Sequence, residues 1–374
     1  MPFYIIYNTK IENKWQFDFV NCLNLEVMGE TTNEVIIGGG KLNNKGVGIS
    51  GIGSFLPEKV VTNEDLSKIV DTSNEWIVER TGIRERRIVN DDTSTSDIAT
   101  IAAKRALEDG GILPEDIDLI IVATVTSDMA FPSTACIVQK NIKAVNAAAF
   151  DISAGCSGFV YGLNLGYSLI KAGIYSKVLV IGAETLSKIV NWKDRSTCIL
   201  FGDGAGACVL DACEDGYGIL STDLGSDGNG GDLLALPAGG SKLPASLETV
   251  LKDLHTIKMD GREVFKFAVR VIEKSANIAV EKTGLGLEDI DFFIPHQANI
   301  RIIQSAMKKL NLQSQKVYVN LDKYGNTSSA SIPVALDEAY RKGLIKRGDV
   351  VLLVAFGAGL TWGSTVLRWN KQEV

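Results

Sequence analysis

In the stretch FDISAGCSGFVYGLNLGYSLIKAG, residues 150–173, a cysteine stands among small residues. The apolar AAAFDI before Cys156 reads as a strand. After it, Phe159, Leu163, Tyr167 and Ile170 recur as one buried face of a helix would. Cys156 therefore falls in the first turn of a helix, where unpaired backbone N–H groups and the positive dipole end stabilise a thiolate. Ala154, Gly155, Ser157 and Gly158 leave room for a substrate beside it. Such a residue is either a nucleophile or a small buried hydrophobe. Cys136, Cys198 and Cys208 lie in apolar surroundings and read as the latter.

A nucleophile needs a base or hydrogen-bond donor. The chain has two histidines, His255 and His296. His296, in FFIPHQANIRII, follows an apolar run and so sits at the C-terminal end of a strand, where open α/β sheets build their sites. His255 follows the charged ETVLKDLH and is expected in an exposed loop. Asn326, in DKYGNTSSASIP, lies in a Gly/Ser/Thr-rich loop, where an asparagine is also an ordinary turn residue.

The elements that would bring these residues together form a repeat. GILPEDIDLIIVATVTSD from Gly111 matches GLGLEDIDFFIPHQAN from Gly284 at an offset of 173 residues. The same offset carries Lys143 before AVNAAAFDI to Lys316 before VYVNLDKYG, and the run from Val178 to the run from Val351. Three matches at one spacing indicate a duplicated unit. Short continuous apolar runs such as LIIVATV and KVLVIGA suit strands buried on both faces, and the amphipathic stretches between them suit crossover helices. TSDIATIAAKRALEDGG carries a cap cluster at its start and glycine at its end. The strand read in VYVNL is the counterpart of the strand before Cys156, so duplication brings the Cys156 and Asn326 loops to one cleft. FGDGAGA at 201–207 lacks dinucleotide-loop spacing and reads as a tight backbone turn that lets layers meet.

The boundaries follow from the repeat: 46–215 for the half with the nucleophile, 216–374 for the half with His296 and Asn326, and 1–45 outside the duplication. The leader has no signal-peptide pattern. Gly38-Gly39-Gly40-Lys41 would be encoded by a purine-rich run like a ribosome-binding site, so Leu42 is read as an alternative start. Intact mass of the natively expressed protein checks this.

The 374 residues are 45% hydrophobic and 22% charged, ample for a large core. A net charge of −7 gives no overall reason to expect nucleic acid. No apolar run reaches the roughly 18 residues of a membrane helix. The six cysteines form no C-x-x-C pair, and free thiols in a reducing cytoplasm are expected. Two distant histidines offer no metal-ligand spacing.

With Cys156, His296 and Asn326 in hand, the chain resembles the β-ketoacyl-acyl carrier protein synthase III family of thiolase-like condensing enzymes. The resemblance runs from about Val47 to the C-terminus. It rests on DTSNEWIVERTGIRERR, AFPSTAC, CILFGDGAGA, PHQANIRII, GNTSSAS and AFGAGLTWGS, in the family's order. It implies an α/β, thiolase-like fold with two duplicated βα halves packed as a five-layer αβαβα core. It also implies a Cys156–His296–Asn326 triad; thiolases proper would bring a second cysteine and hydroxymethylglutaryl-type synthases a glutamate base, and GNTSSAS speaks against both.

The implied reaction has two halves. Cys156 takes the acyl group from a short acyl-coenzyme A, with the backbone N–H groups of Cys156 and Ala358 holding the oxyanion, a donor worth about 3–4 kcal/mol by analogy. Malonyl-acyl carrier protein then loses carbon dioxide, and His296 Nε2 and Asn326 Nδ2 meet the enolate oxygen. The resemblance assigns adenine stacking to Trp76 and Arg195, and further coenzyme A contacts to Thr72, Arg80 and Asn299. Phe131 would border the acyl pocket across a homodimer interface and favour a short primer such as acetyl. Arg262, Lys266, Arg270 and Lys274 recur every fourth residue as a basic helix stripe. Lys266, Arg301, Lys308 and Gln297 are implied in carrier docking. No cofactor or metal is implied, and the expected compartment is the cytoplasm. Two other readings remain: a condensing acyltransferase of secondary metabolism, and a catalytically silent scaffold that binds carrier protein.

Overall fold

The apolar runs form nine strands in two sheets. In the first sheet these are β1 (Gly46–Phe55), β2 (Leu119–Ala123), β3 (Ala148–Ile152), β4 (Val178–Thr185) and β5 (Asp203–Cys213); in the second, β6 (Gly218–Ser226), β7 (Phe292–Pro295), β8 (Val350–Gly357) and β9 (Thr361–Arg368). This computed structural model describes residues 45–372. Before them it describes only the antiparallel pairs Lys10–Ile11 with Lys14–Trp15 and Ile36–Ile37 with Gly40–Lys41. Residues 1–41 and 42–374 are two compact units, and all labelled elements belong to the second. Cys22 and the alternative start read at Leu42 lie outside the described residues.

The two sheets share one plan. The first has the order β1-β5-β4-β2-β3 and the second β6-β9-β8-β7. In each, taken in that order, the first two pairings are antiparallel and the next is parallel. The boundary read at 215/216 falls in the turn between β5 and β6. Every residue of β4 and β8 is buried, as strands covered on both faces require.

Helices α1 (Asn74–Thr81), α2 (Thr95–Gly110), α3 (Thr134–Ile142), α4 (Gly158–Lys171), α5 (Gly261–Glu281), α6 (Ile300–Lys309) and α7 (Ser331–Arg341) include the covering layers. α2 starts at a Ser94/Asp97 capping box and stops at left-handed Gly111. Its Ile98, Ala102 and Ala106 pack with Ile120, Val122 and Ile181 on the outer face of the first sheet. Between the sheets, Phe159 and Leu163 of α4 and Ile332 and Leu336 of α7 meet Val180, Leu210, Ile294 and Leu353. Phe267 and Val271 of α5 and Ile302 of α6 cover Phe293, Leu352 and Val354 on the outer face of the second sheet. The result is five layers, αβαβα.

Two local expectations change. VYVNL is not a strand: only Val317 bridges Phe293, and Leu321–Tyr324 is a helical turn. The buried side-chain amide of Gln297 takes the neighbouring strand's place, donating to the carbonyls of Pro295 at 2.7 Å and Tyr318 at 3.1 Å while its Oε1 accepts from Asn320 N–H at 3.0 Å. FGDGAGA is not a turn. Residues 203–207 run inside β5, where Gly206 lets α7 approach: a Cβ there would lie 2.7 Å from Pro333 Cβ.

Candidate active site

The thiol sits where two strand ends and a helix start converge. Gly155–Ser157 is a single 3₁₀ turn leading into α4, so Cys156 lies just before the helix proper. Gly155 is left-handed, φ 54°, and a Cβ on it would lie 2.6 Å from Ala358 N. Gly357, the last residue of β8, lies against the Cys156 backbone so closely that a side chain would collide. The Thr361 hydroxyl lies 2.8 Å from the Ala154 carbonyl, 2.9 Å from the Ala358 carbonyl and 2.7 Å from Ser157 Oγ, tying the two backbone segments together. No backbone carbonyl takes the Ala358 N–H among the described residues. Ala358 has no positive φ; Gly359 carries it, at 139°. Alanine is therefore accommodated at this position with its main-chain N–H not taken by a backbone carbonyl.

β8 also brings in the imidazole. His296 follows β7, its N–H donating to the Val354 carbonyl at 2.8 Å, and its ring meets Phe356 edge-on at 5.3 Å. Ser331 Oγ lies 2.6 Å from His296 Nδ1 and accepts from Gln297 N–H at 3.4 Å. In the tautomer in which this hydroxyl donates to Nδ1, the ring proton is on Nε2. Burial pushes His296 down to about 3, so the ring is neutral at physiological pH.

One short segment reaches all three side chains. Asn326 Oδ1 accepts from Ser328 N–H at 2.8 Å, which directs Nδ2 away from that contact. Ser328 lines the same cavity as Cys156, and Ser331 holds His296. Cys156, Gly155, Ser328 and Ala358 line a cavity of about 210 Å³ whose other walls include Leu186, Ile189, Phe201 and Leu234. Those four walls belong to the same apolar cluster as Trp76.

The electrostatics differ from the expectation for Cys156. The thiol is pushed up to about 12, chiefly by burial, with neighbouring Ser328 opposing this and the charge of Glu184 adding a lesser upward push. Proximity to a helix start does not make this a thiolate site at rest. Glu184 itself went unnoticed in the sequence; its signal was one acid inside the apolar VLVIGAET.

The outlying residues divide into several groups. The guanidinium of Arg80 lies 4.3 Å and that of Arg195 5.1 Å from the Trp76 ring, and Arg195 Nη1 also donates to the Asp71 carbonyl. An aromatic ring between Trp76 and Arg195 requires about 7 Å, so the adenine slot is closed as it stands. Thr72 Oγ1 is buried without a partner. Asn299 caps α6 and donates from Nδ2 to the Arg80 carbonyl at 3.0 Å. Arg262, Lys266, Arg270 and Lys274 are all exposed on α5; Lys266 pairs with Glu263, while Arg301 and Lys308 are exposed on the adjoining α6.

Gln297 is a correction: 1% exposed and fully engaged with backbone, it offers a docking protein nothing to touch. His255 is half-buried against Thr249 rather than exposed, and Cys136 is exposed rather than buried. Phe131 is 84% exposed and does not line this chain's cavity. Among the described residues no cluster of metal-ligating side chains occurs, and no helix is long and apolar enough to cross a membrane.

The sequence model of 3-oxoacyl-[acyl-carrier-protein] synthase III matches residues 150–228, and that of its C-terminal region matches 280–369. The chain is 65% identical over 324 residues to the β-ketoacyl-[acyl-carrier-protein] synthase III of Caldanaerobacter subterraneus subsp. tengcongensis, covering 87% of this chain and 98% of that protein. The chain belongs to the 3-oxoacyl-[acyl-carrier-protein] synthase III family. The synthase III of Clostridioides difficile is 59% identical over 327 residues, covering 87% of this chain and 99% of that one. Among solved structures, the synthase III of Aquifex aeolicus superposes with a TM-score of 0.80 at 51% identity, covering 87% of this chain and all of that one. The priming β-ketosynthase of the R1128 polyketide pathway gives 0.81 at 34%, covering 87% and 97%. The fold is the thiolase-like one of these condensing enzymes, and the chain is an acyltransferase of their kind.

Proposed function

We propose that Cys156, His296 and Asn326 carry a decarboxylative condensation of a short acyl-coenzyme A, acetyl-coenzyme A first, with malonyl-acyl carrier protein, starting fatty acid synthesis. The observation that carries this is the Asn326–Ser331 segment, which contains Asn326, holds His296 through Ser331 and lines the Cys156 cavity at Ser328. In the first half-reaction Cys156 Sγ bonds to the acyl carbonyl carbon, the C–S bond to coenzyme A breaks, and the thiol proton leaves on coenzyme A. The backbone N–H groups of Cys156 and Ala358 receive the oxyanion. A thiol held near 12 keeps Cys156 protonated until a thioester is bound.

In the second half, the bond between the malonyl carboxylate and its methylene breaks and carbon dioxide leaves. Neutral His296 Nε2–H and Asn326 Nδ2–H donate to the thioester oxygen as its negative charge grows. The enolate carbon then bonds to the acyl carbon, Cys156 Sγ leaves, and one proton is taken up to restore the thiol. A carboxylate base in their place would repel the enolate.

Coenzyme A is read at Trp76, Arg195, Thr72, Arg80 and Asn299, with Arg195 swinging off Asp71 to admit adenine. The carrier is read on Lys266, Arg301 and Lys308. β3 is a sheet edge, and exposed Phe131, Val145 and Phe150 lie on or near it. An exposed edge with apolar neighbours suits pairing with a second copy, which would carry Phe131 to the partner's acyl pocket. The compartment is the cytoplasm, in keeping with the free described cysteines. Incubation with acetyl-coenzyme A followed by intact mass should show one acetyl adduct on Cys156, discharged by malonyl-carrier with release of carbon dioxide. An unlabelled chain after that incubation would refute the reading and favour a carrier-binding scaffold.

A further inference from the structure

Glu184 stands one residue from the C-terminal end of β4, 0% exposed, with no cation paired to it among the described residues. Around it converge the Val125 N–H at 3.2 Å and the hydroxyls of Thr126 at 2.7 Å, Thr124 at 3.3 Å, Ser329 at 3.0 Å and Ser328 at 3.1 Å. A buried carboxyl met only by neutral donors is costly, and its group is pushed up to about 7 by burial. The reaction as derived makes no direct use of it.

Two features tie it to the site. Gly182, two residues earlier on the same face of β4, lies so close to the Ser329 carbonyl that a side chain would collide, so the Ser328–Ala330 turn is laid directly on the strand. Ser328 holds φ 47°, a left-handed conformation that strains a non-glycine residue. At the corresponding turn of the first half the left-handed residue is Gly155, which avoids that strain. Serine at the strained position makes sense if its hydroxyl is needed, and that hydroxyl is bound to Glu184. The same residue's N–H holds Asn326 Oδ1.

We propose that Glu184 is a positioning residue for the decarboxylation half-reaction: through the Ser328 and Ser329 hydroxyls it fixes the Asn326–Ser331 segment so that the Asn326 amide faces the enolate. This rests on the proposed function. Acyl transfer to Cys156 uses the thiol and two backbone N–H groups outside that segment, so it does not depend on the Asn326 pose. The carboxylate charge opposes Cys156 ionisation, so its removal leaves acyl loading unchanged or faster.

The test is Glu184→Gln, with both half-reactions measured on the full chain: adduct formation from acetyl-coenzyme A by intact mass, and carbon dioxide release from malonyl-carrier. The expected result is carbon dioxide release down roughly 10- to 100-fold, as for a displaced catalytic group, with loading within about twofold of the parent or faster. Equal losses in both steps, equal gains in both, loss of loading alone, or no change would each overturn the proposal. Ser328→Gly covers the case in which Glu184→Gln does not fold. It relieves the left-handed strain and keeps the N–H but removes the hydroxyl, so it should melt no lower than the parent and still lose decarboxylation. Unaltered decarboxylation in a folded Ser328→Gly chain would also overturn it. If the parent itself releases no carbon dioxide from malonyl-carrier, the functional reading fails instead.

Discussion

The two halves of the molecule place nearly the same turn at the same point. Gly155–Ser157 leads into α4, and Ser328–Ala330, 173 residues later, leads into α7. Both turns open on a left-handed residue, with φ 54° at Gly155 and 47° at Ser328. The chemistry they present is opposite. The first puts a thiol on a cavity; at the matching position the second puts the Ser329 hydroxyl, which is turned inward to Ala123 and Glu184. On the proposed function, one copy of the duplicated unit supplies the reacting atom and the other the scaffold that aims donors at it. Duplication supplies two similar backbones facing one cleft, and divergence at a few positions makes the site.

The largest effect should come from making the first turn chemically resemble the second. Cys156→Ser replaces a polarisable sulfur with a hydroxyl that ionises less readily. No acyl adduct should form, and condensation should fall by at least about 10³-fold, read by intact mass and product release. Next, His296→Ala and Asn326→Ala strip the second half of its donors. Each should cut carbon dioxide release by roughly 10²-fold or more while Cys156 still takes the acyl group. Normal release from either variant would break the division between halves.

The remaining tests sharpen it. Gln297→Ala removes the amide that stands in for a sheet neighbour and leaves backbone groups of Tyr318 and Asn320 unpaired. Stability should drop by about 3 kcal/mol, seen in the denaturation midpoint, with no selective change in KM for malonyl-carrier. His296 sits near 3 folded against an ordinary value of 6.5. The unfolded chain then binds the proton more readily, so the stabilisation is whole above pH 6.5 and is lost as pH falls toward 3. A His296→Asn variant should show a shallower loss over that window. The smallest effect is electrostatic: Arg301→Glu should raise KM for malonyl-carrier several-fold, more at low salt, and leave acyl loading unchanged.

The repeat was legible because its strands are continuous apolar runs with Asp-Ile-Asp before two of them, and burial on both faces imposes such runs. The missing strand at VYVNL was not legible. Its alternation suits a strand, but one buried glutamine amide satisfies the backbone that a ladder would have. Gln297 misled for the same reason: next to His296 and before a basic helix it reads as surface, and only the fold shows that it is wholly consumed. That the guanidinium groups of both Arg80 and Arg195 contact the Trp76 ring was not legible, because the three residues are brought together only by the fold.

The sequence by itself determined the α/β duplication and the strand-to-helix setting of Cys156, because residue type and local period are properties of short stretches. Tertiary structure alone decided that one six-residue segment reaches all three groups, that the thiol rests protonated, and that Glu184 lies beneath them. Each of these depends on which atoms far apart in the chain exclude water from one another, and burial of that kind has no local signature.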